Sequence, residues 1–214
     1  MRNTKIKESQ RVMGLVEKLP YFSIDNLLVT GVDRHYLRVL LSRQVQSAKI
    51  IRLKRGLYVS QRYIDTMKTK GSISPLLEFF ACAMYPPAYL SGEYVMHEYN
   101  LLTELPQNFT LMTRNKTARF FNPLGNFIYH SLQERLFVGF ISTRENNFTI
   151  LKASKAKALF DFLYLRKDIL RSKKEFDELR LNLDVLSARD KKELSGYITS
   201  EGSRKMKRMY SMIK

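Results

Sequence analysis

Apolar and polar positions alternate along the chain with two periods, and the change from one to the other marks the first elements. Val12, Leu15, Val16 and Leu19 stand at i, i+3, i+4 and i+7, which predicts an amphipathic helix over Ser9–Leu19 ended by Pro20. Ser23 is placed to cap a short helix through Ile24, Leu27 and Leu28, and Gly31 supplies the turn after it. Asp33 caps a third helix that buries Leu37, Leu40 and Leu41 and turns Arg34, His35, Arg38, Ser42 and Gln46 outward. The pattern then becomes strand-like. Ile50–Leu53 and Leu57–Val59 are joined across Lys54-Arg55-Gly56, a tight turn with glycine where positive φ is needed.

Further along, Pro75–Met84 reads as an apolar helix broken by Pro86-Pro87. Ser91 reads as the N-cap of a helix through Tyr94, Val95, Glu98 and Leu101. Short strands are expected at Phe109–Thr113, Phe127–Ser131, Phe137–Thr143 and Phe148–Leu151, the last two joined by a hairpin turn over residues 144–147. Ser154 opens a long helix with Ala158, Leu159, Phe162, Leu163 and Leu165, and helical stretches continue to Lys214. The expected class is therefore α+β: an N-terminal winged helix-turn-helix over residues 1–70, then a mixed C-terminal domain over residues 71–214 with short strands and a helical end. The polar stretch Lys68–Pro75 is the expected boundary.

Charge sharpens this division. The 214 residues carry 37 Lys and Arg against 20 Asp and Glu, a net +17. Residues 1–70 hold 15 against 5, residues 71–151 hold 5 against 6, and residues 152–214 hold 17 against 9. Two cationic regions flank a neutral middle, and a partner carrying phosphates is implied. In the first region an arginine-bearing helix suits the major groove, where Arg pairs with guanine, and a basic wing suits flanking phosphates. The DNA-contact residues expected on this basis are Arg34, His35, Arg38, Ser42, Arg43 and Gln46 of the third helix and Arg52, Lys54 and Arg55 of the wing. Lys155, Arg166, Arg171, Lys173 and Lys174 are expected to form a second basic surface. A winged-helix module that neutralises or recruits an acidic protein partner is the competing reading.

Other chemistry is sparse. Cys82 is the only cysteine, which excludes an intramolecular disulfide and multi-cysteine zinc sites, and its apolar neighbours predict a buried thiol. Glu93 and His97 would share a helix face, but there is no second histidine at ligand spacing. Neither G-x-S-x-G, G-x-x-x-x-G-K nor H-E-x-x-H occurs. No enzyme activity, no metal and no cofactor are expected. The longest uncharged stretches, Phe79–Gly92 and Phe120–Gln133, have 14 residues each and contain proline, short of the roughly 20 apolar residues of a membrane span. Without an apolar leader behind Met1–Glu8, a cytoplasmic protein is expected.

Three short blocks resemble the AbiEi-type antitoxins of bacterial type IV toxin–antitoxin, or abortive infection, systems. They are Arg55-Gly56-Leu57-Tyr58 at the end of the wing, Tyr89-Leu90-Ser91 some thirty residues on, and Ile150–Leu165. In the last block Lys157-Ala158-Leu159 and Asp161 match the family's pattern, whereas Lys155 and Ala156 stand where proline and glutamate are common. The resemblance implies a repressor that binds its own promoter through the winged helix. It further implies a C-terminal domain that counters a nucleotidyltransferase-like toxin without requiring a stable complex.

Overall fold

The computed structural model describes residues 2–213 and is mixed α+β. It divides into two units, one comprising the chain up to Leu77 together with Phe120–Gly125, the other Glu78–Arg119 with Asn126 onward.

In the first unit, α1 (Arg2–Val16), α2 (Ile24–Leu27) and α3 (Arg34–Gln46) precede a two-stranded antiparallel hairpin of β1 (Ile50–Lys54) and β2 (Leu57–Ser60). Val12, Val16, Phe22, Leu27, Leu37, Leu41 and Ile50 form one buried cluster. The N-terminal helix starts earlier than its apolar stripe and stops at Val16. Beyond it the backbone tightens, with Lys18 donating to the Leu15 carbonyl and Leu19 to that of Val16. That turn carries Phe22 to the hairpin, where Phe22 and Tyr58 exchange both backbone hydrogen bonds, at 2.8 and 2.9 Å. Ser23 caps α2 in a reciprocal box with Asn26, and Gly31, at φ +70°, closes the 3₁₀ turn Leu28–Thr30. A further helix, α4 (Gln61–Thr69), leaves the hairpin directly, capped by Ser60.

α5 (Ile73–Met84) leads into a six-stranded sheet. Its strands are β3 (Ala88–Leu90), β4 (Phe109–Thr113), β5 (Ala118–Asn122), β6 (Gly125–Ser131), β7 (Phe140–Glu145) and β8 (Phe148–Ala153), in spatial order β5-β6-β4-β3-β8-β7. β3 is central, antiparallel to β4 and parallel to β8, and all three of its residues are buried. The strand expected to begin at Phe137 begins instead at Phe140. A 3₁₀ turn over Glu134–Leu136 and Gly139, at φ +79°, fill the interval, and a Cβ at Gly139 would overlap the Tyr197 ring. The β7–β8 turn contracts to Asn146 and Asn147, both in the left-handed region that a two-residue hairpin requires.

α6 (Gly92–Glu98) packs on α7 (Lys155–Arg166), and α7 packs in turn on α9 (Ala188–Glu201). α8 (Lys173–Asp177) and α10 (Arg204–Ile213) complete the helical end. Ser91 occupies the N-cap position of α6 as expected, but its hydroxyl makes no cap bond because it is committed elsewhere. Among the described residues, no helix is long and apolar enough to cross a membrane.

Candidate nucleic-acid interface

α3 is the element that displays the largest share of the expected contact residues. The Asp33 carboxylate accepts from the Tyr36 amide at 3.0 Å, which fixes where the helix starts and holds the carboxyl below its usual pKa range. With Leu37, Leu40 and Leu41 facing the core, positions four apart form two exposed stripes on the same helix. One is Arg34, Arg38, Ser42 and Gln46; the other, about 100° around the axis, is His35, Val39 and Arg43.

The stripes face different grooves. Arg38, Ser42 and Gln46 line a shallow groove of about 200 Å³ together with Arg52 and Tyr58 of the hairpin and Ile24 of α2. Tyr58 is held there by its backbone bridge to Phe22 and by stacking on the Phe22 ring, with centroids 5.9 Å apart. The hairpin therefore has a defined position against α3. His35 and Arg43 line a larger groove of about 790 Å³ between α3 and α1, with Ile6, Ser9 and Val39. Arg34 is ion-paired with Asp25 at an exposed position. The structure thus gathers Arg38, Ser42, Gln46 and Arg52 on one surface and places His35 and Arg43 on the adjacent one.

At the hairpin tip, Arg55 is exposed and Gly56 takes φ +81°. Lys54 is engaged differently: its ammonium lies 5.8 Å from the centroid of the Phe120 ring, and Asn122 Nδ2 donates to the Leu53 carbonyl at 3.0 Å. Sequence reasoning did not connect Phe120–Asn122 with the hairpin. The separation of nearly seventy residues leaves no local periodicity to show it.

The five residues expected to form a second basic surface differ in what holds them. Lys155 donates to the Val185 carbonyl at 2.8 Å and lies 3.6 Å from Asp190. Arg166 is paired with Glu93 and lies 3.8 Å from the Phe162 ring centroid. Lys173 sits 3.0 Å from Asp177 and donates to the Met212 carbonyl. Arg171 and Lys174 are exposed. Lys155 and Arg166 also stand at opposite ends of α7, about 16 Å apart along its axis.

Two of the three blocks that carry the family resemblance, Tyr89-Leu90-Ser91 and Ile150–Leu165, meet inside the second unit, while Arg55–Tyr58 lies in the first. Tyr89 Oη and Ser91 Oγ donate to Asp161 Oδ2 at 2.9 and 2.7 Å. Lys157 Nζ donates to Asp161 Oδ1 and to the Leu136 carbonyl, both at 2.8 Å. Lys157 and Asp161 are 0% exposed. Burial pushes the Asp161 carboxyl up and the Lys157 ammonium down, each opposed by the other's charge. The cluster is closed to solvent, so its chemistry is that of a buried tie between β3, α7 and the Leu136 turn.

The pair expected to share a face of α6 is drawn apart chemically, since Glu93 binds Arg166 and accepts from Thr110 at 3.3 Å. Among the described residues there is no group of three or more His, Cys, Asp and Glu able to hold a metal ion. The Cys82 thiol is buried, 3.5 Å from the Leu151 carbonyl, and burial pushes its pKa up to about 11. Compared with models of known families, the chain matches none, and no curated protein matches it.

Proposed function

We propose that this chain is a DNA-binding transcriptional repressor whose first seventy residues act as a winged helix-turn-helix. The observation that carries the reading is the shared groove in which Arg38, Ser42 and Gln46 of α3 lie beside Arg52 of the hairpin. Arginine, serine and glutamine are side chains that read base edges, and a neighbouring basic hairpin reaches the backbone of the same duplex. The net +10 of residues 1–70 supplies the sequence-independent attraction.

The AbiEi-type resemblance extends this to autoregulation of its own operon and to a type IV antitoxin role against a nucleotidyltransferase-like toxin, exerted in the cytoplasm without catalysis. What supports that part is the meeting of Tyr89, Ser91, Lys157 and Asp161, which belong to two of the three blocks that carry the resemblance, in one hydrogen-bonded cluster. In this reading the DNA-binding role belongs to residues 1–70 and the antitoxin role to residues 71–214, apart from Phe120–Gly125, which groups with the first unit.

The test has two arms. Titration of the full chain against its own upstream DNA and against random duplex, at several salt concentrations, should give specific binding that weakens steeply with salt. Arg38→Ala should cost about 1–3 kcal/mol on the specific duplex and relax base preference, while Arg55→Ala should weaken both duplexes alike and flatten the salt slope by about one charge. Binding that ignores salt and sequence would refute the repressor reading. In the second arm, growth under induction of the cognate nucleotidyltransferase-like toxin should be rescued by the full chain; no rescue would refute the antitoxin role alone.

A further inference from the structure

The first unit contains a segment that the helix-and-hairpin reading leaves unused, Phe120–Gly125, fastened to the hairpin from a distant part of the chain. Its strand alternates in exposure. Phe120 and Asn122 are half-buried, through the Lys54 ammonium on the Phe120 ring and the Asn122 bond to the Leu53 carbonyl. Phe121 lies between them, and because successive strand residues point to opposite faces it is turned outward, 65% exposed. An exposed phenylalanine gains nothing for the fold, yet this one is held by two neighbours anchored at Leu53 and Lys54, which Arg52 and Arg55 flank in the sequence of the hairpin.

We propose that Phe121 is a third DNA-contacting element: an apolar side chain that packs into the minor groove beside the phosphates met by the wing. The inference rests on the DNA-binding reading above. A polyanion is the occupant because the residues that fasten Phe121 belong to a basic hairpin, and a lysine drawn onto the Phe120 ring keeps positive charge at the base of the segment. Phenylalanine is one of the residues that proteins insert at base steps, where stacking and apolar contact replace hydrogen-bond readout.

The chemistry separates this contact from every arginine contact. Removing an aromatic ring releases no counterions, so Phe121→Ala should weaken binding of the full chain to its upstream duplex roughly tenfold with the salt slope unchanged. Phe121→Leu should recover most of the affinity, because an apolar wedge is restored. A duplex carrying 2-aminopurine at the flanking A·T steps should brighten on binding the unaltered chain and not on binding Phe121→Ala. The exposure of the ring means that both variants should melt at the unaltered temperature.

Arg55→Ala serves as the internal comparison, since it should flatten the slope. If Arg55→Ala behaves so and Phe121→Ala binds normally, the inference fails and the DNA-binding reading stands. A flattened slope for Phe121→Ala would also overturn it, because the loss would then come from a disturbed cationic wing. A changed oligomeric mass with unchanged DNA affinity would assign the ring to protein contact and overturn it. If the unaltered chain binds no duplex, both fall together.

Discussion

Asp161 shows what a single buried charge demands of its surroundings. Its two oxygens are met by Lys157, Tyr89 and Ser91, and Lys157 in turn satisfies the Leu136 carbonyl. Deleting one member of such a pair strands the other without water, whereas replacing both with apolar groups removes the problem. Asp161→Ala should therefore lower stability by about 3–5 kcal/mol, and Lys157→Met combined with Asp161→Leu should lose less than either single change. Tyr89→Phe, which removes one donor to a carboxylate, should cost about 1.5–3 kcal/mol. Urea denaturation measures all of these; additive losses in the double variant would contradict the account. Cys82 makes a separate prediction. With its pKa near 11, about one thiol in a thousand is ionised at pH 8, and burial blocks approach as well. A chromogenic disulfide reagent should react with it at pH 8 only after denaturant is added, and prompt reaction with the native chain would show that the thiol is accessible.

Glycine separates the elements by what their backbones require. Gly14 lies in α1 and Gly196 in α9, both with open space where a Cβ would stand, so Gly14→Ala and Gly196→Ala should each stabilise by about 0.5–1 kcal/mol. Gly56 also has open space but sits at φ +81°, so Gly56→Ala should weaken the hairpin by about 1 kcal/mol. Thermal midpoints check the sign of each, and a stabilising Gly56→Ala would be inconsistent with the turn. The same elements show how far the sequence is readable. Asp33, Leu37, Leu40 and Leu41 locate α3 because cap and period agree, and Phe109–Thr113 is the strand its pattern predicts. β3 escaped notice because a three-residue central strand buries every side chain and shows no alternation. α4 is not visible in the pattern because its apolar residues Tyr63, Ile64 and Met67 are few and its cap, Ser60, is also the last residue of β2, so no separate turn marks its start. At the site, the stripe Arg38, Ser42 and Gln46 is legible from helical spacing. Its partner surface at Arg52 and Tyr58, and the attachment of Phe120–Asn122, depend on pairing across the chain that no local pattern encodes.

Over the whole chain, pairing decides which charges are available to a partner. The 17 cations of residues 152–214 outnumber their anions, but Lys155, Arg166 and Lys173 are each matched to a carboxylate. Arg171, just before the Ser172 cap of α8, and Lys174 within it are exposed; among the described residues neither is in an ion pair, though Arg171 Nε donates to the Asp168 carbonyl at 3.5 Å. If the basic C-terminal region adds to the proposed DNA contact, its contribution should come from cations that displace counterions from phosphate, because a paired cation must first leave its carboxylate. Arg171→Ala combined with Lys174→Ala should therefore flatten the salt slope by about two charges and weaken specific and random duplexes equally. Lys155→Ala and Arg166→Ala should leave the slope unchanged and lower stability by about 1 kcal/mol each, the scale of a partly exposed ion pair. Binding isotherms across salt and denaturation curves on the same four-residue set separate the cases. A flattened slope from Lys155→Ala or Arg166→Ala would mean that phosphate competes successfully with Asp190 or Glu93. An unchanged slope from the Arg171 and Lys174 pair would confine the proposed DNA contact to the first unit.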